Sequence, residues 1–389
     1  MSTNFQGSLL PIGLSDLLPP DAEYETHITE ALMSSFASYG YDRVKPPLIE
    51  FEEILLGGSG VTTEKQTFRI MDPVSQRMLG VRADMTMQIA RIASTRLGDI
   101  KRPIRLSYAG QVLRVKGSDL RPKRQFAQIG AELIGSNSFR ADAEIILMTI
   151  DALESVGISN LSVDLCIPKL LTHIFTDFKI DSSFEVDNLK TFFNQKNVPA
   201  IEGLKEKLGD EAVEICKLIL ISSGSIETAL PMLKNIKLND QAKKQIDNLE
   251  IVVKHLRKRA PDLKITIDPA ESRGFEYHTG ITFSFFSSEI NGEIGRGGRY
   301  QAYNSPSTED ATGVSLFVDS IIQALPKPKK QKKILVSSFD SSKINNLRKD
   351  GWIVVEYFDD VSINSENDTI QSGCTHYWDG QNIIAVNIG

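Results

Sequence analysis

The feature that most constrains this chain is the stretch from Ile104 to Gly135. Two apolar, β-prone runs flank a polar segment carrying Lys116, Gly117, Arg121, Pro122, Lys123 and Arg124. That order predicts two antiparallel strands joined by a long cationic loop, because Gly, Pro and Asp favour turns where branched and aromatic side chains favour the pleat. Arg114 stands at the end of the first strand. Side chains alternate along a strand, so in the second one Gln128, Gly130 and Glu132 share a face, and Ile129, Ala131 and Leu133 share the other. Such alternation is ordinary for an antiparallel sheet with one wet side. The sharper reading makes the polar face the floor of a small-molecule site, with the loop folding over a phosphate or carboxylate.

A chain of 389 residues suggests two or three domains. At 41% hydrophobic and 24% charged, it can bury a large core. A net charge of -6 carries no global basic bias toward nucleic acid. Cys166, Cys216 and Cys374 lie far apart, and neither they nor the five histidines have metal-ligand spacing. The cysteines read as reduced core thiols, and neither a metal nor a cofactor is expected. No apolar run approaches the roughly 18 residues of a membrane span. The first residues lack the basic-then-apolar order of a secretory signal, so a cytoplasmic location is expected.

Along the chain, Asp21 is placed to cap a helix whose apolar positions run from Tyr24 to Tyr39, with Gly40 ending it. Pro46 and Pro47 restrict the next extended segment to a sheet edge or an interface. Residues 57–63 read as a loop, and a hairpin is expected around Asp72-Pro73. A helix is expected from Ser138 to Val156, with Asp142 and Glu144 near its positive end and Gly157 just past its last turn. Residues from about 180 to 260, rich in Lys, Glu, Leu, Ile and Asn, predict a helical insertion. Strand patterns resume at 264–269, 281–287 and 294–300, and a helix around Ser315–Leu325 closes a first domain spanning 1–325. The lysine-rich residues 326–333 read as a solvated linker. Residues 334–389 predict a small α/β domain of order β–α–β–β, with a turn at Asp379-Gly380.

Four groups could carry chemistry. Asp84 and Thr86, two apart, could accept a ligand ammonium, or they could simply cap the following helix. Gln128 and Glu132 form the polar floor. The segment 271–280 packs Arg273, Glu276, Tyr277 and His278 together, and Arg273 suits a carboxylate or phosphate. The tract Gly297-Gly298-Arg299-Tyr300 allows close backbone approach.

Taken in order, these segments resemble the catalytic domain of class II aminoacyl-tRNA synthetases, specifically the histidyl-tRNA synthetase family, over roughly residues 10–325. The segment from Gly40 to Pro47 and Glu50 is similar to that family's dimerisation motif. Arg114, the basic loop and the strand to Glu132 resemble its second motif. Residues Arg273–His278 resemble its histidine-specific segment, and Gly297–Tyr300 its Gly-Gly-Arg-Tyr tract. The resemblance implies an α+β fold: a class II synthetase-like antiparallel sheet with flanking helices. It implies a histidine-like pocket formed by Asp84, Thr86, Arg114, Gln128, Glu132, Arg273, Tyr277, His278 and Tyr300. His278 stands where the synthetases have a tyrosine.

The departures concern ATP. The family's third motif ends in an arginine that lies against adenine, and here that position is Ser320. A small glycine of the same motif is replaced by Phe317. Amino-acid activation needs preorganised charge at the ATP phosphates, so the resemblance implies no catalytic residue and no aminoacylation. A kept amino-acid pocket, a lost ATP site and a short C-terminal block are similar to the regulatory subunits of ATP phosphoribosyltransferase, paralogues of the synthetases. Membership would imply a short-form catalytic subunit as partner, histidine as effector, a homodimer through the first motif, and no nucleic-acid or membrane partner. An active histidyl-tRNA synthetase with an unusual third motif, and a stand-alone histidine-binding or RNA-binding scaffold, are the alternatives.

Overall fold

The computed structural model describes residues 10–57, 61–117, 121–180, 183–271, 278–304, 307–327, 331–337, 341–357, 366–379 and 381–386. The Ile104–Gly135 stretch forms two long antiparallel strands, Ile104–Leu113 and Gln125–Ile134, paired from Leu113 with Gln125 to Ile104 with Ile134. They lie within a nine-stranded sheet. From one edge its strands are Asp42–Arg43, Ile104–Leu113, Gln125–Ile134, Ser307–Phe317, Glu293–Asn304, His278–Ser287, Leu161–Cys166, Lys264–Asp268 and Gly224–Ser225. The chain separates into two compact units, Met1–Pro326 and Lys327–Gly389.

Alternation along the strands gives the sheet two buried faces. Ile129, Ala131 and Leu133 join the main core, with Leu32 and Phe36 from helix Asp21–Ser38, Ile145 and Met148 from helix Phe139–Ser155, and Leu249 and Val252 from helix Asp240–Arg259. Burying each large apolar side chain contributes about 1.5–3 kcal/mol. The opposite face is covered by helix Thr86–Thr95, whose Ile89 and Ala93 pack with Tyr108, Phe126 and Phe317 in a second core. The polar strand face is therefore not wet: Gln128 is 0% and Glu132 1% exposed.

Several local expectations change. Pro20, not Asp21, precedes the first helix, and no side chain caps it. Val61–Thr63, read as loop, begin the helix Val61–Gln66. Ser315–Phe317 end a strand, Ser307–Phe317, and the helix after it is only Val318–Ala324. Cross-strand pairing of residues 311–317 with 128–134 overrides their local character. Asp142 does more than complement a helix dipole. It is fully buried and takes two hydrogen bonds from Arg299, at 3.1 and 2.8 Å. The helical insertion is an insertion in sequence only, because Leu189, Phe193, Ile219 and Leu233 belong to the main core. The second unit is a four-stranded sheet whose inner strand, Lys333–Ser337, runs parallel to Ile353–Tyr357 and to His376–Trp378. It carries one short helix, Glu366–Gln371, that the sequence pattern did not announce.

Candidate functional site

Register places the site. Across neighbouring strands Tyr108 faces Gly130 and Gly130 faces Ser315, while Glu132 faces Gly313. Residues paired in this way present side chains to the same side of the sheet. Two of the glycines exist to leave room. A Cβ at Gly313 would lie 1.7 Å from Oε2 of Glu132, and one at Gly130 would lie 2.3 Å from the phenol oxygen of Tyr108. A buried carboxylate and a buried phenol thus fit side by side on a tightly packed sheet.

A cavity of about 190 Å³ opens above this floor, lined by Asp84, Thr86, Arg114, Glu132, His278 and Tyr300 together with Arg296, Ser315 and Phe317. It is smaller than the roughly 300–1,000 Å³ of sites for drug-sized ligands and suits a single amino acid. Gln128 lies behind the wall. Its Oε1 accepts the backbone N–H of Met85 at 3.1 Å, and its Nε2 donates to Asp84 at 2.9 Å and to Ser315 at 2.7 Å. Asp84 lines the cavity just before the helix, whose N-cap position is Met85 with no side-chain cap. Its Oδ1 takes the backbone N–H of Thr86 at 2.8 Å, and its Oδ2 takes Gln128 at the cavity wall. His278 is buried and pairs across the sheet with Tyr300. Arg273 and Tyr277 lie outside the described residues.

Glu132 is the electrostatic centre. Its Oε2 accepts from the Tyr300 hydroxyl at 2.9 Å and its Oε1 from the Tyr108 hydroxyl at 3.1 Å. Burial raises its pKa to about 8. The two phenols oppose that rise and the nearby Asp84 charge adds to it. A cationic or N–H-bearing ligand would restore the ionised form.

One side of the cavity is filled by the protein itself. The Arg121 guanidinium, from the cationic loop, stacks 3.6 Å from the Phe317 ring centroid and reaches Glu293 at 3.3 Å. Phe126 meets Phe317 edge-on, with centroids 6.0 Å apart, and Arg114 lies over Phe126 at 4.9 Å. Sequence reading missed Tyr108 and Ser315. The only available signal was the parity of Tyr108 along its strand, which has no meaning until the register is known.

The family model described as Histidyl-tRNA synthetase matches residues 13–321. An ATP phosphoribosyltransferase regulatory subunit of Paramagnetospirillum magneticum is 44% identical over 99% of this chain and 100% of its own length. The protein of the same description from Rhodospirillum centenum is 43% identical, covering 97% and 96%. Among solved structures, one from Bacillus halodurans C, titled an ATP phosphoribosyltransferase regulatory subunit/histidyl-tRNA synthetase, aligns with a TM-score of 0.82. It is 24% identical and covers 97% of this chain and 98% of that one. The large sheet and its helices are thus the class II synthetase-like fold.

Proposed function

The chain belongs to the family of ATP phosphoribosyltransferase regulatory subunits, and from that premise we propose that it activates no amino acid. Instead it binds a short-form catalytic subunit at the first step of histidine biosynthesis and makes that subunit's activity responsive to histidine. The observation that carries this reading is the contrast inside one site: an amino-acid-sized cavity is open, while the adjoining space holds Phe317 and Arg121. The resemblance to the synthetases puts a purine on this side of the site, and here an arginine stacked on a phenyl ring fills it.

Histidine fits the open part. Asp84 and Thr86 suit its ammonium, Glu132 and Tyr300 suit its ring nitrogen, and Arg114, with Arg273 from outside the described residues, suits its carboxylate. As an effector, histidine shifts the complex only by the difference in its affinity for two states. A homodimer is supported by the exposed Leu48, Ile49, Ile70 and Met71, which lie on or beside the three-stranded sheet that follows the proline segment. Among the described residues no helix is long and apolar enough to cross a membrane.

Mixing the chain with a short-form ATP phosphoribosyltransferase tests the proposal. We expect activity to rise and to become inhibitable by histidine, and we expect no histidine-dependent ATP–pyrophosphate exchange by the chain alone. Unchanged activity and histidine response on mixing, or robust exchange, overturns it.

A further inference from the structure

We propose that Tyr108, which does not line the cavity, is the positioning residue of the site: its hydroxyl holds the Glu132 carboxylate aimed at the ligand and so sets ligand affinity. The identity of the ligand rests on the reading above, whereas the hold on Glu132 does not.

The direction of the hydrogen bonds assigns this role. Both hydrogens of the Gln128 amide are committed, one to Asp84 and one to the Ser315 oxygen at 2.7 Å. Ser315, having accepted, can give its own hydrogen to the Tyr108 oxygen, 3.2 Å away. Thr86 Oγ1 lies 3.3 Å from the same oxygen. Tyr108 then directs its single hydrogen to Oε1 of Glu132 at 3.1 Å. The chain Gln128–Ser315–Tyr108–Glu132 points every proton toward the carboxylate, and Tyr300 supplies the last one to Oε2. Protonation makes the Glu132 oxygens weaker acceptors for these donors, so the chain favours the ionised acid against the cost of burial.

Tyr300 holds the other carboxylate oxygen and Thr86 adds a hydrogen bond, but both also line the cavity, where a ligand competes for them. Asp84 repels the carboxylate, and Arg114 and Arg296 line the cavity without a hydrogen bond to it among the described residues. His278 sits on the strand beyond Tyr300. Tyr108 touches three elements at once: the start of helix Thr86–Thr95, strand Gln125–Ile134 and strand Ser307–Phe317. It is fully buried, over Gly130, and takes no part in the cavity wall.

Packing alone would also keep a large ring there, so the test retains the ring. Tyr108→Phe, Glu132→Gln and the double variant are compared with the wild type in two measurements. The first is thermal stability without ligand between pH 5 and 9. Glu132 titrates near about 8 when folded and near about 4.3 when unfolded. Between those values the folded state keeps a proton that the unfolded state has released, so stability falls as pH rises and levels off above the folded value. In Tyr108→Phe the levelling moves to higher pH, and in the Glu132→Gln background the Tyr108→Phe change no longer alters the pH profile. If Tyr108→Phe shifts stability equally at every pH, with or without Glu132, Tyr108 is a packing residue only and the inference falls.

The second measurement is histidine titration by calorimetry. Losing one hydrogen bond to a charged group weakens binding about tenfold, and the weakening disappears when Glu132→Gln is already present. Equal affinity in wild type and Tyr108→Phe overturns the positioning role. A wild type that binds no histidine overturns the ligand assignment alone, and the ligand-free profile still decides Tyr108.

Discussion

Two patches of the same pair of strands have opposite characters. Where Glu132 faces Gly313, the sheet leaves space and lines it with hydrogen-bonding groups. Where Gln128 faces Phe317, it fills the space with stacked rings and an arginine. The backbone is the same in both places; what differs is whether a glycine or a phenyl ring occupies the strand opposite. A few side chains thus leave one part of the strand pair open and polar and fill the other. The open half, retained in the proposed function, depends on polar placement, whereas the closed half depends on volume.

The largest expected effect tests the retained half. Glu132→Gln removes the acid that the ring nitrogen would seek, and histidine affinity should fall about a hundredfold by calorimetry. A dissociation constant within threefold of wild type would erase the distinction between the patches. Next comes the closed half. Phe317→Ala leaves a hole in the second core and should cost about 3–5 kcal/mol in urea unfolding, with histidine affinity, read at a cavity that Phe317 borders, falling far less than in Glu132→Gln. A large loss of affinity in that variant would mean that the patches are one unit. The smallest effect belongs to the lid of the closed half. Arg121→Ala loses its place over the Phe317 and Phe126 rings and its ion pair to Glu293 and should cost about 2 kcal/mol. A loss several times larger would make the arginine, not the phenyl ring, what closes that side.

Much of this was readable in the chain. The antiparallel pair around the cationic loop, its alternating faces and the helix ending before Gly157 follow from period and turn chemistry, which act over a few residues. Asp84, Glu132 and Tyr300 converge on the cavity as their motifs suggested. Other features were not readable. Ser315–Phe317 carry no local sign of strand, and pairing partners on both sides of them decide it. The helices after residue 183 look autonomous in sequence but share the main core. Gln128, placed by parity at the floor, is screened from the cavity by the groups it hydrogen-bonds.

The sequence by itself determined most of the elements and their apolar stripes and the small residues at 130 and 313, and the resemblance to the synthetases marked Phe317 as a departure. These are properties of single residues or of short-range repeats, and no partner is needed to state them. Only the tertiary structure decided that Tyr108 points at Glu132, that Arg121 lies on Phe317 and that a polar strand face is dry. Each of those depends on the register between strands far apart in the chain and on a helix laid across the sheet. A shift of one residue in that register would turn every one of these side chains to the other face.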